Sequence, residues 1–295
     1  MLEGVSVIDA HVHPARLPTL KFSLEEWTGH FEGAVDSLLE LYDEQGTLVP
    51  HRFDEYVAGE GVDVAILLCE YSPRVTGIQP IEDLLPLMEY NPERFRLMAA
   101  LNPHYHYPLP DELERQLELG AVALKLHPVH GGFPPNDPVL YPVYWLCQQH
   151  GLPVIFHCGT SVFPGATNRY ADPVLIEDVA RDFPDLTIVL AHGGRGWWYD
   201  AVAFMTLMRE NVWIEVSGLP PQKLPEYYSR YDFESLARKM IFGTDWPGVP
   251  GLKKNALALF GLGLDPETVE LILHENAERV YKLDAKQERK DVASE

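Results

Sequence analysis

The 295-residue chain predicts an α/β protein folded as a single (β/α)8 barrel, a TIM barrel, on three observations. Eight short apolar runs of strand length recur along it, helix-length segments separate them, and most of the runs end in polar or ionisable residues. Apolar runs without alternation suit strands buried on both faces of a parallel sheet. Regular alternation with helices specifies parallel strands joined by crossovers, and eight such units close a barrel. The 46% apolar content can fill one large core, and a barrel of this length needs no second domain.

The strands are expected at about residues 5–13, 63–70, 96–102, 121–128, 153–159, 186–193, 212–218 and 240–246. Helical segments fall between them at Asp83–Tyr90, Asp111–Leu119, Leu140–His150, Pro173–Phe183, Tyr199–Glu210 and Phe233–Lys239. Asp111 can cap a first turn, Gly120 and Gly151 can end helices, and Pro153 can open a strand. The first crossover, Pro14 to Glu60, is too long for one helix. It carries Trp27, His30, Tyr42 and His51, which suggests an inserted lid or wall over the barrel mouth. Asn255 to Leu283 supplies closing helices. The domain reading is therefore a barrel over 1–285 with a 14–60 insertion, followed by a polar tail over 286–295.

Composition narrows the function. The 44 acidic residues against 23 basic ones give a net charge of −21 with no basic run, which argues against nucleic acid, whose binding rests on neutralising phosphates. There is no stretch of about 18 apolar residues and no charged-apolar-small leader, so a soluble, cytoplasmic chain without a membrane partner is expected. Cys69, Cys147 and Cys158 are odd in number and embedded in apolar runs, as reduced core thiols would be.

The chemistry is expected at the strand carboxyl ends, which in such a barrel open on one face. His11 and His13 end the first strand, and alternate strand residues share a face, so two imidazoles stand at metal-ligand spacing. Later strand ends add Lys125 and His127, His157, His192 and Asp245. This nitrogen-rich cluster with one carboxylate suits zinc or a similar divalent ion. A metal lowers the pKa of its water from nearly 16 to about 7, so a nearby carboxylate can take the proton and a histidine across the site can act as general acid.

The motifs DAHVHP, LKLHP, VIFHCG, VLAHGG, FGTDWP and ENAERVYKL, in this order, resemble the amidohydrolase superfamily. Within it they are similar to the amidohydrolase-related branch that includes aminocarboxymuconate semialdehyde decarboxylases. The resemblance implies that His11, His13, His157 and Asp245 ligate the metal. It makes His192 the catalytic histidine and gives Asp245 a second role as proton acceptor. His192 also has two other readings, as a further ligand or as a partner of the Gly193–Gly194 turn. The resemblance further implies a small-molecule substrate and a homodimer.

Lys125 has three readings: a carboxylated lysine bridging two metals, a cation for a substrate carboxylate, or a salt-bridge partner of an acid near the mouth. One zinc ion is expected, and two if Lys125 is carboxylated. His127 and Arg195 are candidate substrate contacts, with Arg195 suited to an anion. His104 and His106 lie at the mouth by the same logic, and Glu215 and Ser217 end the seventh strand. Trp197, Trp198, Phe133 and Tyr141 are candidates for an aromatic wall, or simply core cover, while His150 and His274 read as structural. Two reactions use this constellation: hydrolysis of a small, anionic ester, lactone or amide, and non-oxidative decarboxylation of a small aromatic or unsaturated acid. A catalytically inert scaffold or a nuclease fits the filled polar positions and the acidic balance less well.

Overall fold

The computed structural model describes residues 1–29, 34–249 and 251–283. His30 and the proposed tail 286–295 lie outside the described residues. Among the described residues there are ten strands: β1 Ile8–Val12, β2 Val64–Leu68, β3 Glu70–Ser72, β4 Gly77–Gln79, β5 Phe95–Leu101, β6 Ala121–Leu126, β7 Val154–Gly159, β8 Ile188–Arg195, β9 Val212–Glu215 and β10 Met240–Ile241. Eight of them form one parallel sheet in the order β1-β2-β5-β6-β7-β8-β9-β10, and β3 pairs with β4 as a small antiparallel hairpin. The hairpin extends the second expected strand and was not anticipated from the sequence.

The barrel closes through an irregular seam, because the eighth expected strand, 240–246, stops at Ile241. Beyond it the amides turn to other partners. Thr244 N–H and its hydroxyl donate to the Asp9 carboxylate at 2.9 and 2.6 Å. The seam itself is held by Ala10 N–H on Phe242 O at 3.1 Å, Asp245 N–H on His11 O at 2.9 Å and His13 N–H on Trp246 O at 2.8 Å. Backbone groups that leave a ladder must find partners elsewhere, and here they tie the first strand to the last.

Helices lie close to the expected places, at Leu85–Tyr90, Leu109–Glu118, Tyr141–His150, Pro173–Asp182, Tyr199–Met208 and Phe233–Ala237. Asp111 is not a cap. Helix Leu109–Glu118 starts two residues earlier, after Pro108, so Asp111 sits inside its acidic first turn. Gly151 ends its helix in the left-handed conformation, as expected. Helices Leu252–Phe260, Pro266–Glu270 and Asn276–Tyr281 follow the last strand, and Ala277 and Tyr281 pack on an interior layer of Ile8, Ile66, Met98, Ala123, Ile155, Val189 and Ile241. That layer lies beneath the polar strand ends.

In the first crossover, short helices at Leu24–Trp27 and Ala34–Leu39 precede Pro50–Gly59. Phe53 of the last is fully buried, with ring centroids 5.5 Å from Phe95 and 5.0 Å from Trp246. Phe53 thus joins this segment to the barrel next to the seam. Phe53→Ala is expected to lower the free energy of unfolding by about 3–5 kcal/mol, measured by denaturant titration, through lost burial and a residual cavity.

Candidate metal centre and active site

Departures from regular strand geometry aim the site residues. The β1–β2 register shifts between Asp9 and Val12, and the β7–β8 register shifts between His157 and Gly159. Such irregularities turn a side chain away from simple alternation. His192 and Asp245 hold left-handed backbone angles, φ 65° and 72°, which cost of order 1–3 kcal/mol for residues with a Cβ and persist only where the surroundings impose them. After His192 the chain turns through Gly193, whose carbonyl accepts the Tyr228 hydroxyl at 2.7 Å and where a Cβ would collide with that hydroxyl.

Three candidate donor atoms converge at the mouth. His11 Nε2 lies 3.1 Å from His13 Nε2, and Asp245 Oδ1 lies 3.6 and 3.5 Å from the same two nitrogens. His11, His192 and Asp245 also present atoms that all lie within 4.8 Å of one another. Two imidazole nitrogens and a carboxylate oxygen at these separations match donors that share one cation, and the donor set suits zinc or a related ion. The residues present therefore fit a divalent metal.

The supporting shell fixes which nitrogen of His11 faces the site. His11 Nδ1–H donates to Glu215 Oε2 at 2.6 Å, leaving Nε2 as the free lone pair. A carboxylate behind a ligating histidine orients the ring and raises its basicity. Glu215 is held in turn by Ser217 N–H at 2.6 Å and the Ser217 hydroxyl at 2.9 Å. Gly243 makes room for it, because a Cβ there would overlap Glu215 Oε1 and His11 Cβ. Lys125 Nζ lies 3.5 Å from His11 Nε2 and is fully buried.

Burial governs the charges. It holds His11, His13, His127, His157 and His192 below the usual histidine range, which favours the uncharged rings that metal binding needs. Burial also pushes the Glu215 carboxyl up and the Lys125 ammonium down, and each draws the other back toward its charged form. Asp9 is pushed up to about 7 by burial, against the hydrogen bonds from Thr244 and the His11 amide.

A second network adjoins the first. Burial opposes ionisation of Glu70, but His127, His130 and His13 outweigh it and hold its carboxyl well below the usual range. Glu70 Oε1 lies 2.8 Å from His130 Nδ1 and accepts the Thr76 hydroxyl at 2.5 Å. His130 Nε2 lies 3.0 Å from Ser161 Oγ. The His130 ring stands 4.8 Å from that of His157.

The strand-end residues read from the sequence assemble at one mouth with different degrees of contact. His157 stands beside the three-atom set: its Nδ1 faces His192 Nε2 at 3.1 Å and its Nε2 faces Gly159 O at 3.1 Å. Ligation by His157 requires one of those bonds to be exchanged. His192 Nδ1 lies 2.9 Å from Ser217 Oγ and 3.9 Å from Asp245 Oδ2. His127 is buried with Nε2 3.8 Å from Glu70 Oε2. Arg195 Nη1 lies 3.8 Å from Asp245 Oδ2. His104 is bonded to Gly132 O, while His106 accepts the Asn102 amide. His274 pairs with Glu278.

Among the aromatic candidates, core cover describes Phe133 and Tyr141. Phe133 is buried in the core, Tyr141 packs on Tyr144 and Phe183, and Trp197 is exposed. Trp27 of the first crossover stands 5.9 Å from His13, and Phe22 stacks on Phe163 at 4.4 Å. Sequence reasoning also passed over Glu70, His130, Asp9 and Ser161. Glu70 had a visible signal, because it ends the second apolar run as the other site residues end theirs.

A sequence model described as amidohydrolase matches residues 8–283. Among solved structures, an uncharacterised TIM-barrel protein from Bordetella bronchiseptica is 24% identical, with a TM-score of 0.74 over 95% of this chain and 99% of that one. A probable 2-pyrone-4,6-dicarboxylic acid hydrolase from Acinetobacter baumannii, crystallised with citric acid, is 18% identical with a TM-score of 0.64 over 94% and 99%. The 5-carboxyvanillate decarboxylase from Novosphingobium aromaticivorans, complexed with manganese and a nitrobenzoic acid, is 17% identical with a TM-score of 0.65 over 95% and 97%. These likenesses show the barrel fold. No curated protein sequence matches.

Glu215→Gln is expected to weaken binding of zinc by about 10–100-fold, measured by isothermal titration against the wild-type protein, because the carboxylate that orients His11 is lost.

Proposed function

This chain belongs to the amidohydrolase family, and from that premise we propose that it is a metal-dependent hydrolase of a small, anionic ester, lactone or amide. The observation that carries the reading is the convergence of His11 Nε2, His13 Nε2 and Asp245 Oδ1 within 3.1–3.6 Å of one another. A divalent ion bound there, zinc first among candidates, supplies Lewis acidity and an activated water. His11, His13 and Asp245 would hold the ion, and His157 would be a fourth ligand.

The remaining steps belong to the side chains. Asp245 keeps a carboxylate at the mouth whose Oδ2 can take the proton of the attacking water. His192, 3.9 Å from Oδ2, stands where it can pass a proton to the leaving group. Arg195, next to Asp245, offers a cation to an anionic substrate group, and His127 lines the far side near His13. The full burial of Lys125 beside His11 supports a charge-balancing part opposite Glu215, Asp245 and Glu70. The buried free thiols suit a cytoplasmic location, and the family resemblance supports a homodimer.

Arg195 also favours a second reading, decarboxylation. A guanidinium 3.8 Å from Asp245 could hold a substrate carboxylate where Asp245 or His192 protonates the carbon that loses carbon dioxide. Turnover in 18O-labelled water separates the two: hydrolysis puts one label into the product acid, whereas decarboxylation releases carbon dioxide and leaves the product unlabelled. Asp245→Asn is expected to lower kcat by about 100-fold or more in either case.

Elemental mass spectrometry on protein purified with bicarbonate and without chelators is expected to give one metal per chain. The ion should be lost in His11→Ala and retained in Lys125→Ala. Two ions falling to one without Lys125 would replace the mononuclear reading with a carboxylate-bridged pair.

A further inference from the structure

We propose that Glu70, His130 and Ser161 form a second, metal-independent nucleophilic centre at the barrel mouth, of the serine-hydrolase type and directed at small carboxylic esters. Three separate segments bring it together. Glu70 opens the hairpin strand β3, His130 lies in the one-turn helix Pro128–Gly131 after β6, and Ser161 follows β7. All three residues are buried. Carboxylate to Nδ1 is 2.8 Å, and Nε2 to hydroxyl is 3.0 Å, within the reach expected of a nucleophile, its base and the group that orients the base.

The surrounding bonds polarise this chain in one direction. Glu70 is an acceptor already fixed by the Thr76 hydroxyl, so it takes the His130 Nδ1 proton and leaves Nε2 as a lone pair. Ser161 Oγ accepts the Phe163 amide at 3.3 Å, so its own O–H is directed to Nε2. The serine backbone is clamped on both sides by Asn168, which accepts Ser161 N–H at 2.8 Å and donates to Ser161 O at 3.1 Å. The His130 ring lies against those of His157, Phe163 and His127, with centroids 4.8, 5.8 and 5.9 Å away. Triads are recognised by this geometry and by roles, whatever the order of the residues in the chain.

The chemistry balances with water as co-substrate. Ser161 Oγ bonds to the ester carbonyl carbon while its proton moves to His130 Nε2. The carbon–alkoxide bond then breaks and the alcohol leaves with that proton. Water adds to the acyl carbon, giving its proton to His130, and Ser161 Oγ departs and recovers it. The products are the acid and the alcohol, with no change in oxidation state. This centre does not rest on the His11–His13–Asp245 reading.

The test is covalent labelling of the purified protein with a fluorophosphonate, with and without EDTA, followed by peptide mass spectrometry. The inference expects a phosphonyl adduct on Ser161 in both conditions. It expects no such adduct in Ser161→Ala, and a labelling rate at least about 100-fold lower in His130→Gln. Circular dichroism checks that the variants keep the fold. Failure to modify Ser161, modification of His130→Gln at the wild-type rate, or a requirement for metal would each overturn the proposal. Failure of the metal reading would appear instead in the metal count, so the two can be told apart.

Discussion

The site depends on the bond between His11 and Glu215, 2.6 Å long and closed to solvent, which ties the first strand of the barrel to the seventh. A buried hydrogen bond of this kind is costly to break, because its partners are then left unsatisfied away from water. It fixes the tautomer of His11 and so delivers Nε2 to the mouth. Around it stand Gly243, where a side chain would have no room, the two donors from Ser217, and the buried Lys125, whose ammonium Glu215 draws toward its charged form. Ser217 extends the same network to His192.

A second constraint acts from the seam. Asp9 accepts two hydrogen bonds from Thr244 and one from the His11 amide at 3.1 Å, so it joins the segment carrying Asp245 to the segment carrying His11. The Thr244 amide leaves the strand ladder to make this connection. In exchange, Asp245 is held in a left-handed conformation that places its carboxylate within 3.6 Å of both histidines. Backbone strain and site geometry therefore share one cause.

Much of this was legible in the sequence, and the parts that were not have physical reasons. Apolar runs mark strands buried on both faces, so the eight barrel strands and the strand-end histidines could be read directly. The length of the last strand could not, because the Thr244 amide is taken by Asp9, a partner more than 230 residues away in sequence. Nor could the separate position of His157, which follows from the register shift that lets it face His192 and the Gly159 carbonyl. Which of the two readings of the aromatic residues, wall or core cover, applies at each position could not be read for a similar reason. Exposure of Trp197 and burial of Phe133 depend on how loops pack, whereas Phe22 and Trp27 reach the mouth from the first crossover. His130 went unnoticed because it lies in a one-turn helix, three residues beyond His127, outside any strand end.

The central claim is that imidazoles of His11 and His13 and the carboxylate of Asp245 meet on one divalent ion. X-ray absorption at the metal edge of the zinc-loaded protein tests it most directly. The account predicts a nitrogen and oxygen shell at about 2.0–2.1 Å with the outer-shell scattering of at least two imidazoles, one of which disappears in His13→Ala. A spectrum with sulfur ligation, or without imidazole scattering, would contradict it.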